Sequence, residues 1–254
     1  MNGCTRPSWR GAKRAASIGA AMASSQFWRL VAVIASVSAL NAQPESGSHL
    51  AKHLSDSLAI STSLSSLVLE STVIIRTAHN SAPELATKTQ LERLIAAHDL
   101  SQWTFTHEIV IDEKSIPHSH PVLTLHTRHL KQDDELLSTY LHEQLHWFLT
   151  RHSAETKAAE QDLTKLYPKV PVGYPDGAND TESTYLHLLV CQLEQQADRA
   201  VLGDERTEEV MQFWAGDHYR WVYRTVLQDE AKIEDILKRN HLGTPDARRP
   251  DQTQ

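Results

Sequence analysis

His142, Glu143 and His146 stand as His-Glu-x-x-His within Asp133–Thr150, DDELLSTYLHEQLHWFLT. Two histidines four residues apart on a helix project from one face, close enough for both imidazoles to grip one Zn²⁺. The glutamate between them falls on the flank of that face, where a carboxylate can take a proton from a zinc-activated water. Two such histidines also occur as satisfied core residues. Nine of the fifteen histidines fall between His98 and His152, so abundance alone raises the odds of a chance match. A third ligand at a credible place separates the two readings.

The stretch Thr181–Leu202 reads as a long helix, capped by Asp180 or Thr181 and stopped by Gly203. At about 100° per residue, His187, Cys191, Glu194 and Asp198 fall in one narrow stripe. Tyr185, Leu189, Leu193 and Ala200 lie opposite, as a core face. The first helix has the same design, with Leu137, Tyr140, Leu141 and Phe148 on the side away from its histidines. Two helices each offering a polar stripe backed by an apolar face can close around one cation. Glu194 and His187 both remain as third ligand, and Cys191 reads as a small buried residue. His118, His120 and His126 can fringe a cleft, but a rigid loop and a strand position explain them without function.

The pair His142-Glu-Gln-Leu-His146 and, about fifty residues on, Glu194-Gln-Gln-Ala-Asp198 resembles the gluzincin group of zinc metallopeptidases. The second piece is similar to the E-x-x-A-D segment of the membrane-associated CAAX-type and heat-shock metallopeptidases. The resemblance covers roughly residues 122–202. It implies Glu194 as third zinc ligand, Asp198 as the residue orienting a ligand histidine, and the strand before the active-site helix as a cleft border that pairs with extended substrate. It implies peptide-bond hydrolysis with Glu143 as general base, on a peptide or protein substrate. His218, Tyr219 and Tyr223 are the oxyanion candidates, because gluzincins often use a downstream His or Tyr. The several membrane spans of those relatives are absent, so membrane substrates do not carry over. His152 completes the histidine spacing of the metzincins, but Leu149 stands where they have Gly, and a continuing helix would point His152 off the metal face. The alternative function is a zincin-like domain that binds metal or a partner protein without catalysis. The intact Glu143 counts against it.

The elements that must hold these residues follow from periodicity and turn chemistry. A strand is expected over Ser71–Thr77, a helix over Glu84–Ala97, a strand over Trp103–Ile111 and another over Val122–Thr127. Asp133 is the expected cap of the first ligand helix. Helices are expected over Ala154–Leu166, Thr207–Ala215 and about His218–Asn240, with a Pro- and Gly-rich loop over Pro168–Gly177. The fold class predicted is α+β and zincin-like: a small mixed sheet packed on the active-site helix and a following ligand helix, with a mostly helical C-terminal half.

The net charge of −7 gives no electrostatic case for nucleic acid. Residues 1–44 carry Arg6, Arg10, Lys13, Arg14 and Arg29 with no acid, then the apolar run Leu30–Leu40 and small residues at Ala39 and Ala42. That run is too short to span a bilayer and suits a signal peptide, so export is the expectation and no stable membrane span is expected in the mature chain. An organelle transit peptide or a mis-assigned start are the rivals. Residues 45–70 read as a Ser-rich linker, 71–242 as the metallopeptidase domain and 243–254 as a disordered tail. Cys4 in the leader leaves Cys191 without an internal disulfide partner. Oligomeric state is not legible.

Overall fold

The computed structural model describes residues 73–243. The expectations for the leader, the linker and the tail beyond Gly243 lie outside these residues. The described residues are mixed α+β and mostly helical, with one small sheet. Strands β1 (Ile74–Thr77), β2 (Glu108–Ile111) and β3 (Leu123–Leu125) lie in the order β1-β2-β3. They are parallel throughout, with Ile75 opposite Ile109 and Ile109 opposite Leu123. The expected mixed sheet is therefore corrected to a parallel one. Among the described residues its antiparallel component is the single bridge between His118 and Thr124.

Helix α1 (Ala82–Ala97) makes the crossover from β1 to β2. It begins in a capping box, with Ser81 accepting the Glu84 N–H and Glu84 accepting the Ser81 N–H. The buried Glu84 carboxylate also accepts N–H groups from His79 and Glu113, tying the helix start to the chain leaving β1 and β2.

The strand expected over Trp103–Ile111 is realised only in its second half. Trp103 belongs to a 3₁₀ turn, and the Gln144 side chain takes the hydrogen bonds of the next residues. Its Oε1 accepts Phe105 N–H at 2.7 Å and Thr106 N–H at 2.8 Å, and its Nε2 donates to the Thr106 carbonyl at 2.9 Å. A side chain on the neighbouring helix thus replaces a strand partner.

That helix, α2 (Asp133–Arg151), carries the His-Glu-x-x-His residues. Asp133 is its first residue, and the cap position belongs to Gln132 with no side-chain cap. The Asp133 carboxylate is already occupied by Gln90 at 2.9 Å and Arg93 at 2.6 Å. Leu137, Tyr140 and Leu141 are fully buried, as expected for the core face. Helix α3 (Ser153–Leu166) follows after a break at His152, whose ring packs on Phe148 with centroids 4.6 Å apart.

Helix α4 (Thr181–Leu202) starts at Asp180, which accepts the Ser183 N–H at 2.6 Å, and ends at Gly203, whose φ of +84° suits glycine. It packs against α2, α3, α5 (Asp204–Asp217) and α6 (Arg220–Arg239), so Leu188 through Gln195 are all buried. Ala200, expected on the core face, is exposed, and Val201 and Leu202 turn inward in its place. Helix α6 opens two residues later than expected, which leaves His218 and Tyr219 in the α5–α6 connection. Tyr219 has φ +46° there.

Replacing Gln144 by Leu, close to it in volume, leaves two amide N–H groups and a carbonyl without protein partners. At about 1–3 kcal/mol per unmet buried group, less what water recovers at half-buried residues, a loss of about 2–3 kcal/mol is expected. Urea unfolding reads it as a lower midpoint at unchanged m. An unshifted midpoint would show that Gln144 does not hold residues 104–106.

Candidate metal centre

Helices α2 and α4 lie side by side and run antiparallel: Ser138 meets Asp198, His142 meets Glu194, and His146 meets His187. The three imidazoles of His142, His146 and His187 form a triangle with ring centroids 5.1, 5.6 and 5.0 Å apart. One ligand nitrogen of each lies within 4.8 Å of the other two.

Hydrogen bonds settle which nitrogens face inward. His142 Nδ1 donates to Glu194 Oε2 at 2.8 Å, and His187 Nδ1 donates to the Ser183 carbonyl at 2.6 Å. Both rings therefore keep Nε2 for another partner, the arrangement found where an outer group orients a metal-binding histidine. Burial and the neighbouring His142 push His146 well below the ordinary histidine range, and the same causes take His187 down to about 3. Burial opposes charge on His142, but Glu194 and the adjacent Cys191 outweigh it and raise that ring well above 6.5. A metal taking His142 Nε2 would displace that proton while Nδ1–H stays on Glu194. The donor set fits a divalent ion such as zinc.

Glu194 has no exposure and accepts three donors: His142 Nδ1, Tyr223 OH at 3.0 Å on Oε2, and Ser138 Oγ at 2.7 Å on Oε1. Ser138 Oγ also lies 2.9 Å from Asp198 Oδ2 and accepts Trp214 Nε1–H at 3.0 Å. One hydroxyl hydrogen cannot serve two carboxylates. Burial and the nearby Glu194 raise Asp198 well above the usual carboxylate range, so Asp198 is the acid and donates to Ser138, which donates to Glu194. A second possible ligand group, His142, Cys191 and Glu194, lies on the Nδ1 side of the same ring. Burial pushes the Cys191 thiol up to about 11, so it stays protonated beside His142.

Glu143, buried beside the histidines, has its carboxyl pushed by burial up to about 7. Tyr219 packs against His187 at a tilt of 44° with centroids 4.2 Å apart, and His218 lies against Tyr219 at 4.9 Å. His218 Nδ1 donates to Asp217 Oδ2 at 2.9 Å. Tyr223 is fully buried and spends its hydroxyl on Glu194, so it belongs to the support of the cluster rather than to its open side. His152 joins no group of metal-ligating side chains among the described residues.

The outer edge of β3, the border that the resemblance implies, is already paired. His118 N–H donates to the Thr124 carbonyl at 3.1 Å and Thr124 N–H to the His118 carbonyl at 2.8 Å, filling the outer edge of β3. The rim is then Pro117–Ser119. Pro117 has no N–H, and the Ser119 carbonyl accepts Trp147 Nε1 at 2.8 Å. His120 stacks on Trp147 at 4.1 Å, fixing this rim to α2 next to His146.

Sequence reasoning missed Ser138, Trp214, Asp217 and Arg128. Ser138 was discoverable: it lies four residues before His142, on the histidine face. No family model matches the chain, and no curated protein or solved structure matches it.

Ser138→Ala removes the hydroxyl between Glu194, Asp198 and Trp214 and leaves three buried polar groups short of a partner. A loss of about 2–4 kcal/mol in unfolding free energy is expected, measured by denaturant titration. A loss under about 0.5 kcal/mol would mean that the acid–hydroxyl–carboxylate chain is not formed.

Proposed function

We propose that this chain is a zinc-dependent hydrolase of peptide bonds, with a zincin-like arrangement, in which His142, His146 and His187 hold the metal and Glu143 is the general base. The observation that carries this reading is the triangle of imidazoles whose outer nitrogens, at His142 and His187, are already committed to Glu194 and the Ser183 carbonyl. Glu194, the ligand implied by the resemblance, is here the residue that orients His142. Its position on Nδ1 and its two further donors support that role over direct ligation.

Bound zinc would supply positive charge that acidifies a water and polarises a carbonyl. Glu143 takes the proton from the attacking water and returns it to the leaving amine, a task suited to a carboxyl raised toward neutrality by burial. His218 donates to the oxyanion from the α5–α6 connection when its ring carries a proton on both nitrogens, Nδ1–H on Asp217 and Nε2–H toward the oxyanion, while Tyr219 packs on the His187 ring and limits its rotation. The buried Glu143 carboxyl beside His142 favours catalysis over a domain that only binds.

Two measurements test the reading. Zinc competition titration is expected to show that His187→Ala weakens binding by more than 100-fold, whereas Glu194→Gln keeps one zinc per chain with affinity lowered about 10–100-fold. The reverse order would assign Glu194 as the ligand. Glu143→Gln should retain stoichiometric zinc and lose at least about 10²-fold in peptide cleavage. Wild-type protein that holds zinc, cleaves no member of a broad peptide library and behaves like Glu143→Gln would end the peptidase reading.

A further inference from the structure

Arg128 lies in the 3₁₀ turn Thr127–His129, on the path from β3 to α2, while Asp217 ends α5. The two are joined by a fork: Nη1 donates to Asp217 Oδ2 at 2.8 Å and Nη2 donates to Oδ1. The same Oδ2 accepts His218 Nδ1–H. A planar guanidinium bound to both oxygens fixes the plane of the carboxylate, which a single point charge does not do. A carboxylate fixed in this way leaves one direction for the Nδ1–H bond, and so one orientation for the ring. The His218 ring is also bounded by Trp214 at 5.2 Å, Tyr219 at 4.9 Å and Tyr223 at 5.9 Å. Nδ1 faces Asp217, so Nε2 is on the opposite side of the ring.

We propose that Arg128, acting through Asp217, is a positioning residue that keeps Nδ1–H of the His218 ring on Asp217, so that the second proton the ring takes up is carried on Nε2 and donated to the oxyanion developing on the substrate. This rests on the peptidase reading. Arg128 comes from the connection behind the rim, and Asp217–His218 from the helical wall. The fork therefore also sets the spacing between the side of the site that borders substrate and the group that acts on it. Its side chain is half exposed, with relative accessibility of 51%. An exposed ion pair contributes little to stability, so its removal should leave the chain folded.

The test uses the full chain loaded with zinc and one peptide that wild type cleaves. Arg128→Met is expected to lower kcat about 10–100-fold, less than the roughly 10²–10³-fold for outright loss of one oxyanion donor, with KM within about twofold and zinc stoichiometry unchanged. Arg128→Lys should recover only part of kcat, because one ammonium cannot grip both oxygens. In a His218→Ala background the Arg128→Met change should cost nothing further, since the path runs through that ring. Nitrogen NMR of the His218 imidazole should show the neutral ring as the Nδ1–H form in wild type, so that the proton gained on acidification goes to Nε2, and mixed tautomers in Arg128→Met. Unchanged kcat in Arg128→Met, an equal loss with and without His218, or a loss explained by zinc release each overturns the proposal while hydrolysis by wild type stands. Absence of hydrolysis by zinc-loaded wild type overturns the peptidase reading and this inference with it.

Discussion

A carboxylate with no exposure must be given hydrogen-bond donors or be neutralised, and Glu194 is in that position. Its donors come from α2 through Ser138 and His142, and from α6 through Tyr223. Trp214 of α5 reaches the same group through Ser138. Three helices are thus brought into register around one side chain of α4. Hydrophobic burial alone would hold those helices together at many rotations, because leucine contacts are not directional. The polar centre selects one. Such a centre is weak evidence for net stability, since desolvation offsets much of the attraction, and its consequence here is a single placement of the His142 ring.

Proton placement inside that centre is equally constrained. Two acids, Glu194 and Asp198, share one hydroxyl, and two adjacent buried negative charges are far costlier than one. Asp198 takes the neutral form, which turns it from a competitor for the Ser138 hydrogen into a donor to the Ser138 oxygen. Asp198 then donates to Ser138 and Ser138 to Glu194, which leaves the other Glu194 oxygen to accept Nδ1–H from the imidazole whose Nε2 faces the other two histidines. A group two helical turns from the candidate metal position, Asp198, therefore helps define which nitrogen is presented there.

Much of this was legible from residue order alone. The period of apolar residues placed α1, α2, α3 and α4 within a residue or two, Asp180 and Gly203 marked the ends of α4, and the stripe His187–Cys191–Glu194–Asp198 did lie on the α2-facing side. What could not be read were bonds between distant segments. The alternation that made Trp103–Ile111 look like one strand takes no account of Gln144, which captures the backbone of Phe105 and Thr106 from 39 and 38 residues away. Asp133 looked like a cap because caps are local, whereas its carboxylate had been taken by Gln90 and Arg93 on α1. Arg128 and Asp217, 89 residues apart, left no local pattern at all.

The choice between His187 and Glu194 shows the limit in its simplest form. Both sit on one stripe, seven positions or about 10 Å apart along the helix axis. A stripe fixes which face a residue occupies but not the direction in which the facing helix runs. In a parallel pairing, Glu194 would come up beside His146 and His187 beside the start of α2. The observed pairing is antiparallel, so rising numbers on α2 meet falling numbers on α4: Ser138 with Asp198, His142 with Glu194, His146 with His187. His142 then has a carboxylate on one nitrogen and two imidazoles facing the other. Burial aside, three imidazoles held this close disfavour protonation of one another, as the lowered His146 and His187 show, and a cation that takes the place of the His142 Nε2 proton can be shared by all three. That electrostatic preference, set by helix direction, supports a three-histidine site oriented by Glu194.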